Sequence, residues 1–294
     1  MVPLRGVAFV KAHALGNDFL IVRDPDAEHL VPESLASTMC DRHAGVGADG
    51  LVLIGPAPEA GTRFRIFNAD GSEAQLSGNG LRCAAAVLAR WTGERRFVFE
   101  TRAGQRELNL EAQRGSEWIF RAEMGRPSFS AAAIPFRPPR PLAEPILAFP
   151  LPVGDVTVAA TILSMGNPQC IVFREDPAMD WQALGADLER HPFFPDRANI
   201  GFVRVLGRDR IEARFWERGA GHTLASGTGA CACAVAANLA GHTGRKVTVE
   251  VERGRMEVWW RDDGMVDLIG PAEITVEGVH FYDATAATAT EGGR

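Results

Sequence analysis

Ser77-Gly78-Asn79-Gly80 opens the Ala-rich run Cys83-Ala84-Ala85-Ala86-Val87-Leu88-Ala89, and Ser226-Gly227-Thr228-Gly229 opens a second, Ala230-Cys231-Ala232-Cys233-Ala234-Val235-Ala236-Ala237. The two serines stand 149 positions apart (77 to 226), and the same offset carries Arg65 onto Arg214, Phe67 onto Trp216, Asn68 onto Glu217 and Gly80 onto Gly229. Two half-chains therefore share one plan. A glycine turn lets backbone approach a ligand closely, and the helix behind it begins with free N–H groups and a partial positive charge. That combination binds an anion. Two such starts in one chain predict two related domains facing one another, with one anionic ligand held between both N-termini and a serine on either side. A single copy would read more readily as a small-residue turn entering a buried helix; the matched second copy favours the site.

Outward from these turns, 294 residues suit two domains of ordinary size, and a hydrophobic fraction of 46% is that of a globular protein. A formal net charge of −6 and a pI near 5.7 leave no basic footprint for nucleic acid or an anionic membrane surface. No apolar run is long enough to span a bilayer, and Arg5 and Lys11 interrupt the apolar start before a signal-like core develops, so a cytoplasmic location is expected. The five cysteines, Cys40, Cys83, Cys170, Cys231 and Cys233, have no metal-ligand spacing and read as reduced, buried thiols.

Short apolar or alternating segments predict strands over 6–10, 50–54, 64–67, 97–100 and 118–122, then over 156–163, 170–173, 201–205, 211–216, 247–251, 255–260 and 279–282. Helices are predicted over 181–189 and 229–240. Eight of the 18 prolines fall between Pro127 and Pro152, which reads as a passage between domains without regular pairing. The predicted division is 1–128, joined by a strand near 272–284, then 129–271, with a disordered tail over 285–294.

Polar clusters sit where strands end: Gly16-Asn17-Asp18-Phe19, Gly45-Val46-Gly47-Ala48-Asp49-Gly50, Phe67-Asn68-Ala69-Asp70-Gly71, Gly166-Asn167-Pro168, Arg197-Ala198-Asn199 and Glu217-Arg218-Gly219. Singly, each reads as an Asx turn or a cap. Together, four Asn, one Glu and one Arg beside two anion-binding turns describe a pocket for a small zwitterion, because amide side chains donate and accept at once.

With these residues in view, the chain resembles diaminopimelate epimerase, of the cofactor-independent amino-acid epimerase and proline racemase superfamily, from Lys11-Ala12-His13-Ala14-Leu15-Gly16-Asn17-Asp18-Phe19 to about Gly270-Pro271-Ala272. The segments 67–83 and 216–230 carry the resemblance most specifically. It implies an α/β (α+β) fold of two pseudo-symmetric domains, each a curved sheet wrapped around a central helix, with the active site in the cleft between them. It also implies an isomerase interconverting LL- and meso-diaminopimelate, on the route to lysine and cell-wall precursors, with no cofactor and no metal. Its expected partners are a small zwitterionic substrate and, at most, a second copy of the chain. The α-carboxylate would sit on Gly78, Asn79, Gly227 and Thr228, and the far end of the substrate on Asn17, Asn68, Asn167, Asn199, Glu217 and Arg218.

Four positions depart from the family. Ser77 and Ser226 replace the two cysteines that remove and return the α-proton, Gln169 stands in place of a histidine after the Gly-Asn-Pro turn, and His222 stands in place of a glutamate. A thiolate is within reach at neutral pH beside a helix N-terminus, whereas a serine hydroxyl needs a strong partner. His222, four residues before Ser226, is either a local base that polarises it or, the blander reading, a surface or turn histidine with no catalytic task. Three readings of the serines stay open: an epimerase with both thiols exchanged so that it binds without turnover, a relative moved to isomerase or dehydratase chemistry on another small acid, and a homologue that only binds.

Overall fold

A computed structural model of the chain describes residues 4–27, 30–57, 61–140, 142–174 and 180–283; the tail over 285–294 lies outside them. The chain divides into two compact units, Met1–Arg121 with Pro271–Arg294, and Ala122–Gly270. Both boundaries fall inside strands, Glu117–Gly125 and Val266–Asp283.

In the first unit, residues 271–283 pair with Leu4–Ala14, followed by Asn17–Arg23, Gly50–Pro56, Thr62–Asn68, Arg96–Thr101 and Gly104–Arg114. The neighbours are antiparallel except Asn17–Arg23 with Gly50–Pro56 and Thr62–Asn68 with Arg96–Thr101. In the second unit the succession is Ile146–Val153, Val156–Ser164, Pro168–Phe173, Asn199–Gly207, Arg210–Glu217, Lys246–Val251 and Gly254–Trp260. Its parallel neighbours are Pro168–Phe173 with Asn199–Gly207, and Arg210–Glu217 with Lys246–Val251. The same alternation of parallel and antiparallel pairs occurs twice. The helices Pro32–Cys40 and Trp181–Glu189 also obey the offset of 149 at both ends. The fold is mixed α and β, dominated by sheet.

Each sheet packs on one Ala-rich helix. In Gly227–Leu239 every residue from Gly229 to Ala237 is buried, so the helix has no polar face and must be enclosed. It touches six strands of its unit. Gly78–Thr92 is buried from Asn79 to Val87 and ends at Gly93, whose φ of 75° and N–H bond to the Ala89 carbonyl make a left-handed cap. Small side chains let strands come close: a Cβ at Gly201 would sit 2.6 Å from the Cys233 sulfur. All five cysteines are free and buried. Burial pushes the thiols of Cys40, Cys83 and Cys170 up to about 12, so they are inert at neutral pH.

The Pro-rich segment corrects the sequence reading. It lies within the second unit. Ile134 and Phe136 enter the core with Ile146, Leu151, Phe194 and Phe202, and Phe136 packs edge-on against Phe149 at 5.6 Å. Ile146–Val153 pairs with Val156–Ser164 despite Pro150 and Pro152. The two prolines are two residues apart, so both missing N–H groups fall on one side of the strand and the other side remains free to pair. Among the described residues no helix is long and apolar enough to cross a membrane.

Candidate active site

Each unit carries its own share of the predicted residues. In the first, Ser77 is the N-cap of Gly78–Thr92: its hydroxyl accepts the Gly80 N–H at 3.0 Å. The Gly78 and Asn79 N–H groups make no hydrogen bond to the described residues, and a Cβ at Gly78 would meet nothing within 4 Å. This helix start is open to a ligand. Asn17 leaves the two-residue turn Leu15-Gly16, in which both residues have positive φ, 55° and 93°. That tight turn sets Asn17 beside the helix start, where its Oδ1 accepts from Asn79 Nδ2 at 2.9 Å. Asn68, at the end of Thr62–Asn68, points its amide to Ser72 Oγ at 2.9 Å within the 68–72 turn.

The second unit repeats the cap with Ser226, whose Oγ accepts the Gly229 N–H at 3.2 Å. Gly229 must lack a side chain, since a Cβ there would meet the Phe215 ring and Ser226 Oγ at 2.9 Å. Ser226 is buried and donates its hydroxyl proton to the Glu217 carboxylate. Burial raises the pKa of Glu217, and the Ser226 hydrogen bond opposes the rise without cancelling it. The offset that relates the units places Asn68 where Glu217 stands, so Ser77 has no equivalent carboxylate.

Asn167, Gln169 and Thr228 form a cluster at the same helix start. Gln169 Nε2 donates to Asn167 Oδ1 at 2.8 Å and to Thr228 Oγ1 at 3.4 Å, while the buried Gln169 Oε1 accepts no hydrogen bond. Asn199 and Arg218 are joined through the Arg218 N–H on Asn199 Oδ1 at 2.8 Å. The exposed guanidinium of Arg218 gives Nη1 to the Asp196 carbonyl, and its other N–H groups make no hydrogen bond to the described residues.

His222 is not the partner of Ser226. Its Nε2 lies 2.6 Å from Glu252, its Nδ1 3.4 Å from Gln182, and its ring stands edge-on to Trp181. The hairpin that pairs Glu217 with Gly221 brings Glu217, not His222, to Ser226. The sequence reading also missed Glu189, at the end of Trp181–Glu189. This buried carboxylate accepts from the Gly219 N–H at 3.0 Å, the Trp216 indole at 3.3 Å and Arg197 at 3.3 Å, and so braces the turn that carries Arg218. Burial disfavours its charged form, but these hydrogen bonds outweigh that and lower its pKa. Nothing in local sequence marks it, because its partners lie on other elements. Among the described residues no three His, Cys, Asp or Glu side chains converge as ligands for a metal.

The family model for diaminopimelate epimerase matches residues 9–130 and 161–275. The diaminopimelate epimerase of Pelotomaculum thermopropionicum is 44% identical over 280 residues, covering 93% of this chain and 99% of the relative. That of Nostoc punctiforme is 41% identical over 278 residues, covering 92% and 99%. In fold the chain is similar to a hydroxyproline epimerase from Agrobacterium vitis, with a TM-score of 0.65 at 14% identity, over 95% of this chain and 92% of that one. With a matching family model over most of its length and relatives above 40% identity, the chain belongs to the diaminopimelate epimerase family, a family of isomerases.

Proposed function

We propose that this chain inverts an α-carbon of diaminopimelate, interconverting the LL and meso forms without a cofactor. The observation that carries the reading is the repeated Ser-capped helix start, at which the N–H groups of Gly78 and Asn79, and of Gly227 and Thr228, make no hydrogen bond to the described residues. Inversion needs a proton removed from one face of the α-carbon and another returned to the opposite face. When the C–H bond breaks, its electron pair moves toward the carboxylate, and unspent N–H groups at a helix start suit that growing charge.

Ser226 and Glu217 can work as a pair: as Ser226 takes the α-proton, its own proton passes to Glu217, which ends as the neutral acid. Burial favours that neutral form. Ser77 would supply the second proton and would be left as an alkoxide without a basic neighbour, so turnover is slow in this direction and its reverse. Asn17, Asn199 and Arg218 suit the far end of the substrate, with Arg218 free to meet a second carboxylate.

Calorimetry tests the reading. Diaminopimelate is expected to bind, and Arg218→Ala to weaken it at least tenfold, the scale of a charge-assisted hydrogen bond of about 1.5 to 3 kcal/mol. No heat of binding to the unmodified chain would instead direct attention to another small acid.

A further inference from the structure

In the first unit a chain of side chains runs from a group that can only donate to one that can only accept. Arg82, fully buried in the helix Gly78–Thr92, donates Nη2 to Asn79 Oδ1 at 2.5 Å, and its Nε donates to the Pro271 carbonyl at 3.3 Å. Asn79 Nδ2 donates to Asn17 Oδ1 at 2.9 Å. Asn17 Nδ2 donates to Asp49 Oδ2 at 2.8 Å. An amide alone can turn either way, because its oxygen and nitrogen have the same shape. Here neither can. The guanidinium has no acceptor, so Asn79 must offer it oxygen; the carboxylate has no donor, so Asn17 must offer it nitrogen.

The outer end is itself held. Asp49 Oδ1 accepts from Arg42 at 2.8 Å, Arg42 also donates to Asp18 at 2.8 Å, and Lys11 lies 3.1 Å from Asp18. Burial works against the charge on Asp18, yet the hydrogen bonds from Arg42 and Lys11 prevail and hold its pKa below the usual carboxylate range.

We infer that Arg82 and Asp49 are positioning residues that fix the polarity of Asn79 and Asn17, so that each amide nitrogen has one hydrogen left to offer a ligand and each oxygen is turned to a donor within the protein. Asn17 then donates to the distal carboxylate of the substrate, while its oxygen is engaged by Asn79. This rests on the reading of Asn17 as a substrate contact. It assigns a specificity role to Asp49, which lies one residue beyond any substrate contact.

Calorimetry with three ligands tests the inference: diaminopimelate, 2-aminopimelate, which lacks only the distal ammonium, and lysine, which lacks only the distal carboxylate. In Asp49→Asn the end of the chain can donate as well as accept, and Asn17 is free to turn. Diaminopimelate and 2-aminopimelate are expected to weaken alike, by about tenfold, with any lysine binding changed less than twofold. Asp49→Glu, still acceptor-only, should restore most of the loss. Arg42→Gln is the control for the ion pairs: it should lower the melting temperature and leave the ratio of the ligands unchanged. Arg82→Lys, which keeps a donor-only end, should bind diaminopimelate better than Arg82→Gln.

An effect of Asp49→Asn on diaminopimelate below twofold, a loss confined to diaminopimelate and absent from 2-aminopimelate, or the same loss in Arg42→Gln would each overturn the inference while leaving the proposed function intact. Absence of diaminopimelate binding to the unmodified chain would overturn both.

Discussion

Replacing Ser77 and Ser226 together by cysteine is expected to raise epimerase activity at least about a hundredfold, the scale of a positioned acid and base. Each change alters one atom, and each new sulfur lies at a helix N-terminus, where a thiolate is stabilised. The single changes should be unequal. Ser226 already has Glu217 as a proton acceptor, whereas Ser77 has only the Gly80 N–H among the described residues. Ser77→Cys alone should therefore gain more than Ser226→Cys alone, and Gln169→His, adding a proton carrier beside Thr228, should raise the double variant further. Rates of meso-diaminopimelate formation, followed by chiral chromatography, decide the order. A double variant that folds, binds substrate and gains nothing would separate the chemistry of this chain from its family's.

Glu217→Gln in the unmodified chain should cost about a hundredfold or more in α-proton exchange, since it replaces the carboxylate that takes up the Ser226 proton by an amide that cannot be protonated there. Exchange in the parent chain should climb with pH through the raised pKa of Glu217, because only the ionised carboxylate can receive that proton. Stability moves the other way. A carboxyl whose folded pKa is raised contributes fully below its unfolded pKa, and that contribution is lost as pH rises through the folded value. Glutamine stays neutral and can still accept from Ser226, so the variant should melt no lower than the parent at neutral pH. A fall in exchange matched by a fall in melting temperature would mark Glu217 as structural.

The parts of the molecule legible in the sequence are those set by chemistry close along the chain. Ser-Gly-x-Gly before small apolar residues names a capped helix wherever it lies, and the offset of 149 then relates strands such as Thr62–Asn68 and Arg210–Glu217. What escaped depends on partners far away in sequence. Pro127 to Pro152 looks like a linker because proline opposes regular structure locally, yet Phe136 finds Phe194 at 5.0 Å and the segment is drawn into a core. His222 is near Ser226 along the chain, but a hairpin gives Ser226 to Glu217 and turns His222 to Glu252. Asp49 stands in a Gly-rich cluster that the sequence does mark, but neither it nor Glu189 shows locally which group it holds, because those groups come from Asn17 and Gly219.

The most direct measurement is deuterium entry into LL-diaminopimelate incubated with the unmodified chain in deuterium oxide, read by mass spectrometry and proton NMR. A proton carrier at Ser226, backed by Glu217, predicts deuterium at the α-carbon, with meso product appearing more slowly than in the double cysteine variant. Substrate that stays unlabelled, at a level equal to a protein-free control, while the cysteine variant exchanges fully would show that the serines move no proton and that this chain only binds.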